Sequence, residues 1–174
     1  MEEQLSLVKP SVEHYEEYLS FYEEWKNSNE PIVPWVVEKE PYDFAQYLHF
    51  LESEKDENNL PADYVPHSTY WLVKEDGRVV GAVNIRHRLN ERLLKVGGHI
   101  GYGIRPSERQ KGYATVILAK SLEKTRELGL DKVLVVCDHW NTPSEKTIRN
   151  NGGVLESEFT EEDGNVVRRF WITL

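Results

Sequence analysis

Residues 99–115 read HIGYGIRPSERQKGYAT, and their reading decides the fold. His99 to Pro106 alternate as a strand does, whereas TVILAKSLEKTRELG, from Thr115 to Gly129, carries a helical pattern. Between them Arg109, Gln110, Lys111, Gly112, Tyr113, Ala114 and Thr115 make a strand-to-helix junction. A helix start exposes N–H groups with no intrahelical partner and the positive end of the macrodipole, so an anion placed there meets donors and favourable charge together. Gly112 lets the backbone come close, Ala114 leaves room beside the first turn, and Arg109 and Lys111 add cations at the mouth. The junction suits a pyrophosphate, although the same run also suits an ordinary glycine-containing loop with solvated bases. A P-loop is excluded because no Gly-x4-Gly-Lys-Ser/Thr string occurs, and a dinucleotide fingerprint fails because Pro106 stands where a third glycine should follow Gly101 and Gly103.

Working outward, Gly129 reads as the C-cap of a helix from Tyr113 to Leu128, and the apolar run Val133 to Cys137 as a buried parallel strand. Pro143 opens a short helix stopped by Gly152-Gly153, and a last hairpin, Val154 to Phe159 and Val166 to Ile172, turns at Asp163-Gly164. Upstream, Thr69 to Lys74 and Val79 to Arg88 flank Asp76-Gly77, and a third strand runs from His99 to Ile104. Before them stand two helices. The first starts near Ser11 with Val12, Tyr15, Leu19, Tyr22 and Trp25 on one stripe. The second is capped by Asp43 with Gln46 three residues on, and buries Phe44, Tyr47, Leu48 and Leu51. The predicted order is α, α, β, β, β, α, β, α, β, β, an α/β fold of mixed α+β character in one domain spanning 1–174.

At 174 residues one core suffices, burying about 70% of the unfolded surface. No apolar run approaches the roughly 20 residues that span a bilayer, and the start, MEEQLSLVKP, is acidic where a signal peptide is basic, so the expectation is a cytoplasmic protein without membrane contact. A single cysteine, Cys137, excludes an internal disulfide framework, and six scattered histidines give no zinc spacing, so no metal is expected. Net charge is −9, with residues 1–60 holding 15 Asp and Glu against four lysines. By contrast, Arg86, Arg88, Arg92, Lys95, Arg105, Arg109 and Lys111 are opposed within their own stretch only by Glu91 and Glu108. Overall acidity excludes nucleic acid as a partner. The asymmetry fits a cationic substrate and an anionic cofactor held by opposite ends of the chain, while most of the carboxylates read as solvated helix faces.

Taken together, these features resemble the GNAT acetyltransferase superfamily. Its pyrophosphate signature, Arg/Gln-x-x-Gly-x-Gly/Ala, is matched by Arg109, Gly112 and Ala114; GHIGYGIRP is similar to its central strand leading into a Val/Ile-x-Pro turn. Asn141, Ser144 and Gly152 match its Asn-x-x-Ser/Ala helix and closing glycine. The resemblance covers 69–174, a cofactor-binding core, and by type alone the helical acceptor-side region 1–60. It implies a twisted, mixed central sheet of six to seven strands with about four helices, splayed where parallel strands end at Ile104 and Cys137. It also implies acetyl-CoA as cofactor, direct transfer to an amine of a small molecule or peptide, and a possible homodimer. The Ile104 amide would polarise the thioester carbonyl. Ile104, Arg105, Arg109, Gln110, Lys111, Gly112, Tyr113, Ala114, Thr115, Asn141 and Ser144 would contact the coenzyme.

An amine acceptor must lose a proton, and His99, where relatives often carry a glutamate or histidine facing the acceptor, is the candidate base. His139, Glu23, Glu24 and Glu30 stay open as alternatives. Asn141 equally suits an N-cap for the Pro143 helix. Ile148 stands where the family's tyrosine acid is expected, so Ser144, a water or no enzyme group remains open as the acid. Cys137 reads as a small buried hydrophobe and not as a nucleophile. Trp25, Trp35, Tyr42 and Tyr47 suit either an acceptor pocket or the core and a dimer surface. The rival reading from another class is a non-catalytic acyl-CoA-binding sensor or assembly module.

Overall fold

The computed structural model describes residues 3–174. Along the chain lie β1 (Leu5–Val8), α1 (Tyr15–Asn27), α2 (Phe44–Ser53), β2 (His67–Lys74), β3 (Val79–Arg86), β4 (Ile100–Ile104), α3 (Tyr113–Glu127), β5 (Lys132–Asp138), α4 (Thr142–Asn150), β6 (Val154–Thr160) and β7 (Val166–Thr173). The expected elements are present, and a strand precedes them. With only four residues, β1 is too short to show a period of its own, and it exists by pairing antiparallel with β2.

The strands form two sheets, ordered β1-β2-β3-β4 and β5-β7-β6, and every ladder among the described residues is antiparallel. This corrects the expectation of one continuous mixed sheet. Among the described residues, the hydrogen bonds that join β4 to β5 are at His99, just before β4. Its N–H donates to the Leu134 carbonyl at 2.7 Å, and Leu134 N–H donates to His99 Nδ1 at 2.9 Å. Gly98 makes this joint possible. Its φ is +65°, and a Cβ there would run into the Leu134 carbonyl, so only glycine permits the approach.

Two cores hold the layers. Ile117, Leu118 and Leu122 of α3 pack with Val80, Val83 and Ile85 of β3, Val133 and Val135 of β5, and Phe170 and Ile172 of β7. On the other side of β2 and β3, the faces of α1 and α2 meet Trp71, Val79 and Ala82. Tyr18 stacks on Trp71 with centroids 4.1 Å apart, a pair that contributes ~1 kcal/mol beyond its buried area. The buried stripe of α1 is Tyr18, Phe21, Tyr22 and Trp25: Tyr22 and Trp25 are as expected, whereas Tyr18 and Phe21 stand in place of Val12, Tyr15 and Leu19. A single 3-10 turn, Val12–His14, precedes the helix, which starts at Tyr15, and leaves Val12 69% exposed. The α2 cap is as expected: Asp43 accepts from Gln46 N–H at 3.1 Å.

Candidate active site

The β3–β4 ladder determines which way each β4 amide points. Arg105 N–H donates to the Val80 carbonyl and Arg86 N–H to the His99 carbonyl, so Gly81 and Ile104 face each other as a pair that exchanges no bonds. Ile104 N–H is therefore turned away from β3, to the side where β5 has parted. The same alternation puts Tyr102 and Ile104 on one face of β4 and Gly101 and Gly103 on the other. A Cβ on Gly103 would strike the Val33 carbonyl and the Trp25 ring. The loop after α1 thus lies directly on the glycine face.

Beyond Ile104 the chain makes one 3-10 turn, Pro106–Glu108, and enters α3 through two left-handed residues, Gln110 (φ +62°) and Gly112 (φ +83°). Gly112 occupies the N-cap without a side-chain bond, and the first intrahelical donor is Val116. The N–H groups of Gln110, Lys111, Gly112, Tyr113, Ala114 and Thr115 have no partner among the described residues. A Cβ on Gly112 would meet nothing within 4 Å, so the space above the helix start is open. The cations at the mouth are neutralised: Arg109 pairs with Glu30 at 2.5 Å and Lys111 with Glu108 at 2.7 Å. Arg109 Nε also donates to the Ile104 carbonyl at 3.2 Å, and its guanidinium lies over Trp25. Tyr113 is tied to Glu3 through its hydroxyl, and the Thr115 carbonyl accepts from Asn151.

Asn141 is the N-cap of α4, accepting from Ser144 N–H at 3.2 Å. Ser144 Oγ in turn lies 2.8 Å from the Tyr102 hydroxyl, a bond that spans from β4 to the helix following β5. Burial pushes the Tyr102 phenol up to about 12 against the opposing pull of Ser144 and Thr147, so at neutral pH it keeps its proton. Sequence reading passed over Tyr102. The signal was the period of two, which puts it on the face of Ile104, but only the structure brings Ser144 to it.

Two expected site residues are placed elsewhere. His99 is 5% exposed, and its Nδ1 accepts the Leu134 N–H, which leaves the neutral ring's proton on Nε2 and no lone pair to act as a base. Burial, then the nearby Arg86 cation, holds this imidazole down at about 4. Arg105, 3% exposed, faces α1 and not a coenzyme: Nε bonds Glu24 at 2.6 Å, Nη2 bonds Ser20 at 2.7 Å and Nη1 lies 3.7 Å from Glu17. Cys137 is buried and its thiol is raised to about 11, chiefly by that burial. The expected opposition of a cationic substrate and an acidic chain end becomes internal pairing, since Glu17, Glu24, Glu30 and Glu57 are spent on Arg105, Arg109 and Arg88.

Comparison with known proteins agrees with this fold. The acetyltransferase (GNAT) domain model matches residues 4–154. A chimera of spermidine N-acetyltransferase SpeG from Vibrio cholerae with hSSAT is 20% identical, with 98% of this chain and 95% of that one covered at a TM-score of 0.66. The dodecameric spermidine N-acetyltransferase of Vibrio cholerae is 18% identical, covered at 98% and 94%, with a TM-score of 0.67. A GNAT-family protein from Bordetella pertussis is 14% identical, covered at 99% and 97%, with a TM-score of 0.66. No curated protein sequence matches significantly. A domain match over most of the length, on this fold, means that the chain belongs to the GNAT acetyltransferase family.

Proposed function

We propose that this protein is an acetyl-CoA-dependent N-acetyltransferase that moves the acetyl group directly to an amine of a small molecule or peptide. The observation that carries the reading is the row of unpartnered N–H groups from Gln110 to Thr115, opening α3 just past an Ile104 amide turned off β3. These residues fit a coenzyme diphosphate, because Gln110 and Gly112 present the backbone itself and nothing fills the space above Gly112. Acetyl-CoA, when bound, supplies an acyl thioester ready for attack. The side-chain cations are engaged by Glu30 and Glu108, so backbone donors and the helix dipole do most of the holding. Ile104 N–H would stabilise charge developing on the acyl oxygen, and loss of one such donor costs about a hundredfold or more in rate. Tyr102, protonated and bonded to Ser144, holds a proton at its phenol oxygen for the leaving sulfur, in place of the tyrosine absent at Ile148. His99 serves as the joint between the sheets, and the acceptor gives up its proton to solvent. Direct transfer is supported by Cys137, whose high thiol pKa suits a packed core residue and not a nucleophile.

Two measurements test the reading. Calorimetry with acetyl-CoA is expected to give saturable heat, and thiol release over a panel of amines to depend on the amine. Saturable binding without amine-dependent release leaves an acyl-CoA-binding module, and no binding overturns the proposal.

A further inference from the structure

Of the seven bases between Arg86 and Lys111, five meet a carboxylate: Arg88 with Glu57, Lys95 with Glu91, Arg105 with Glu24, Arg109 with Glu30 and Lys111 with Glu108. Arg86 and Arg92 have none within ion-pair distance among the described residues, yet they line the same cavity of about 410 Å³, together with Trp35, Tyr64, His67 and Asp63. Asp63 brings one carboxylate to the wall, but it forms no ion pair with either guanidinium. Arg86 is partly buried, and its one side-chain bond among the described residues is a long one, 3.4 Å from Nη1 to the Gly97 carbonyl. A partly desolvated cation without a counter-charge carries a cost, and a site shaped for an anion is a physical reason for keeping one. The field of this cation reaches its neighbours: burial and then Arg86 depress both His67 and His99 to about 4.

The cavity adjoins β4. A Cβ on Gly101 would lie 3.3 Å from Arg86 Nη1, so the guanidinium rests on the glycine face, opposite the face of Tyr102. Gly101 and Ile104 are three residues apart, about 10 Å along a strand. We propose that the Arg86–Arg92 cavity is an anion subsite for the acyl acceptor, so that the substrate is an amine bearing a carboxylate several bonds from the reacting nitrogen. Two guanidiniums match a carboxylate by paired N–H···O bonds, with Trp35 and Tyr64 as apolar walls for the linking chain. A polyamine would instead be repelled by two unpaired cations. This inference rests on the transferase reading above and narrows its substrate class.

The test follows thiol release from acetyl-CoA with 6-aminohexanoate and glycylglycine, each beside its carboxamide, and with spermidine. Both carboxylates are expected to exceed their carboxamides in kcat/KM by about tenfold or more, the worth of a charge-assisted contact. Arg86→Met is expected to erase that difference through KM, and Arg86→Lys to retain part of it. Should Arg86→Met fail to fold, as judged by its thermal transition, Arg92→Met carries the same expectation. Carboxamides or spermidine serving as well as the carboxylates, or no carboxylate serving at all, overturns the subsite. Calorimetry with acetyl-CoA separates the failures: intact coenzyme binding leaves the transferase reading standing, whereas its absence removes both.

Discussion

Tyr102 illustrates how much one side chain depends on its surroundings. A phenol in water titrates near 10; inside the protein, burial outweighs the hydrogen bonds and moves it to about 12. Such a group is useless as a base but stays protonated across the working range, and the bond to Ser144, 2.8 Å away, fixes where its hydroxyl oxygen sits. Tyr102→Phe removes only the hydroxyl and leaves the ring on its face of β4. It is expected to lower kcat about a hundredfold, the usual order for an acid–base group. Calorimetric affinity for acetyl-CoA should be unchanged, because none of the diphosphate donors is touched. Unaltered kcat in this variant would remove Tyr102 from proton transfer. His99 shows the opposite outcome. Its position at the head of β4 was legible to within a residue, but the bond from its ring to Leu134, set up by the left-handed Gly98, spans 35 residues, beyond the reach of any local pattern.

Helix α3 and the turn before it were legible because their determinants are local: a glycine at φ +83°, a cap position and an apolar stripe all lie within one stretch. Gly112→Asp is expected to abolish coenzyme binding, since it sets a carboxylate above donors that await an anion and strains a left-handed residue by about 1–2 kcal/mol. Retained binding in calorimetry would move the diphosphate elsewhere. The clamp between α1 and the end of β4 was not legible, because Arg105 and Glu24 are 81 residues apart and nothing in either neighbourhood names the partner. Glu24 closes the clamp from two sides, accepting from Arg105 Nε and from Ser107 N–H, each close to 2.7 Å. Burial alone would raise the Glu24 carboxyl, but these bonds outweigh it and hold it low. Glu24→Gln leaves a buried guanidinium short of charge and is expected to cost about 3 kcal/mol in urea unfolding. Adding Arg105→Met should recover much of that loss, because the double variant buries no cation. A double variant that loses as much stability as the two single changes summed, or more, would show that the pair is not coupled as described.

The whole molecule is acidic, yet its stability near neutral pH turns on two buried neutral histidines beside one cation. His67 accepts from Asn84 at Nδ1 and lies 3.2 Å from Glu54 through Nε2; His99 accepts from Leu134. Burial and then Arg86 depress both from an ordinary 6.5 to about 4. Between those values the unfolded chain takes up protons that the folded one refuses, so unfolding is favoured as pH falls. Stability is therefore complete above about 6.5 and declines from there toward pH 4. With two such groups the slope approaches ~3 kcal/mol per pH unit midway, at ~1.4 kcal/mol per proton and pH unit. Urea midpoints taken at steps from pH 7.5 to 4.5 check this, and His99→Gln, which keeps an acceptor near Leu134 but cannot titrate, should make the slope shallower. A carboxylate seated on Arg86 would weaken the field that depresses both rings. In saturating 6-aminohexanoate the decline should therefore begin at lower stability cost, with a shallower slope that Arg86→Met reproduces without ligand. Parallel curves with and without the ligand, in the wild-type protein, would mean that the two rings are governed by burial alone and that the cation's charge is not theirs to feel.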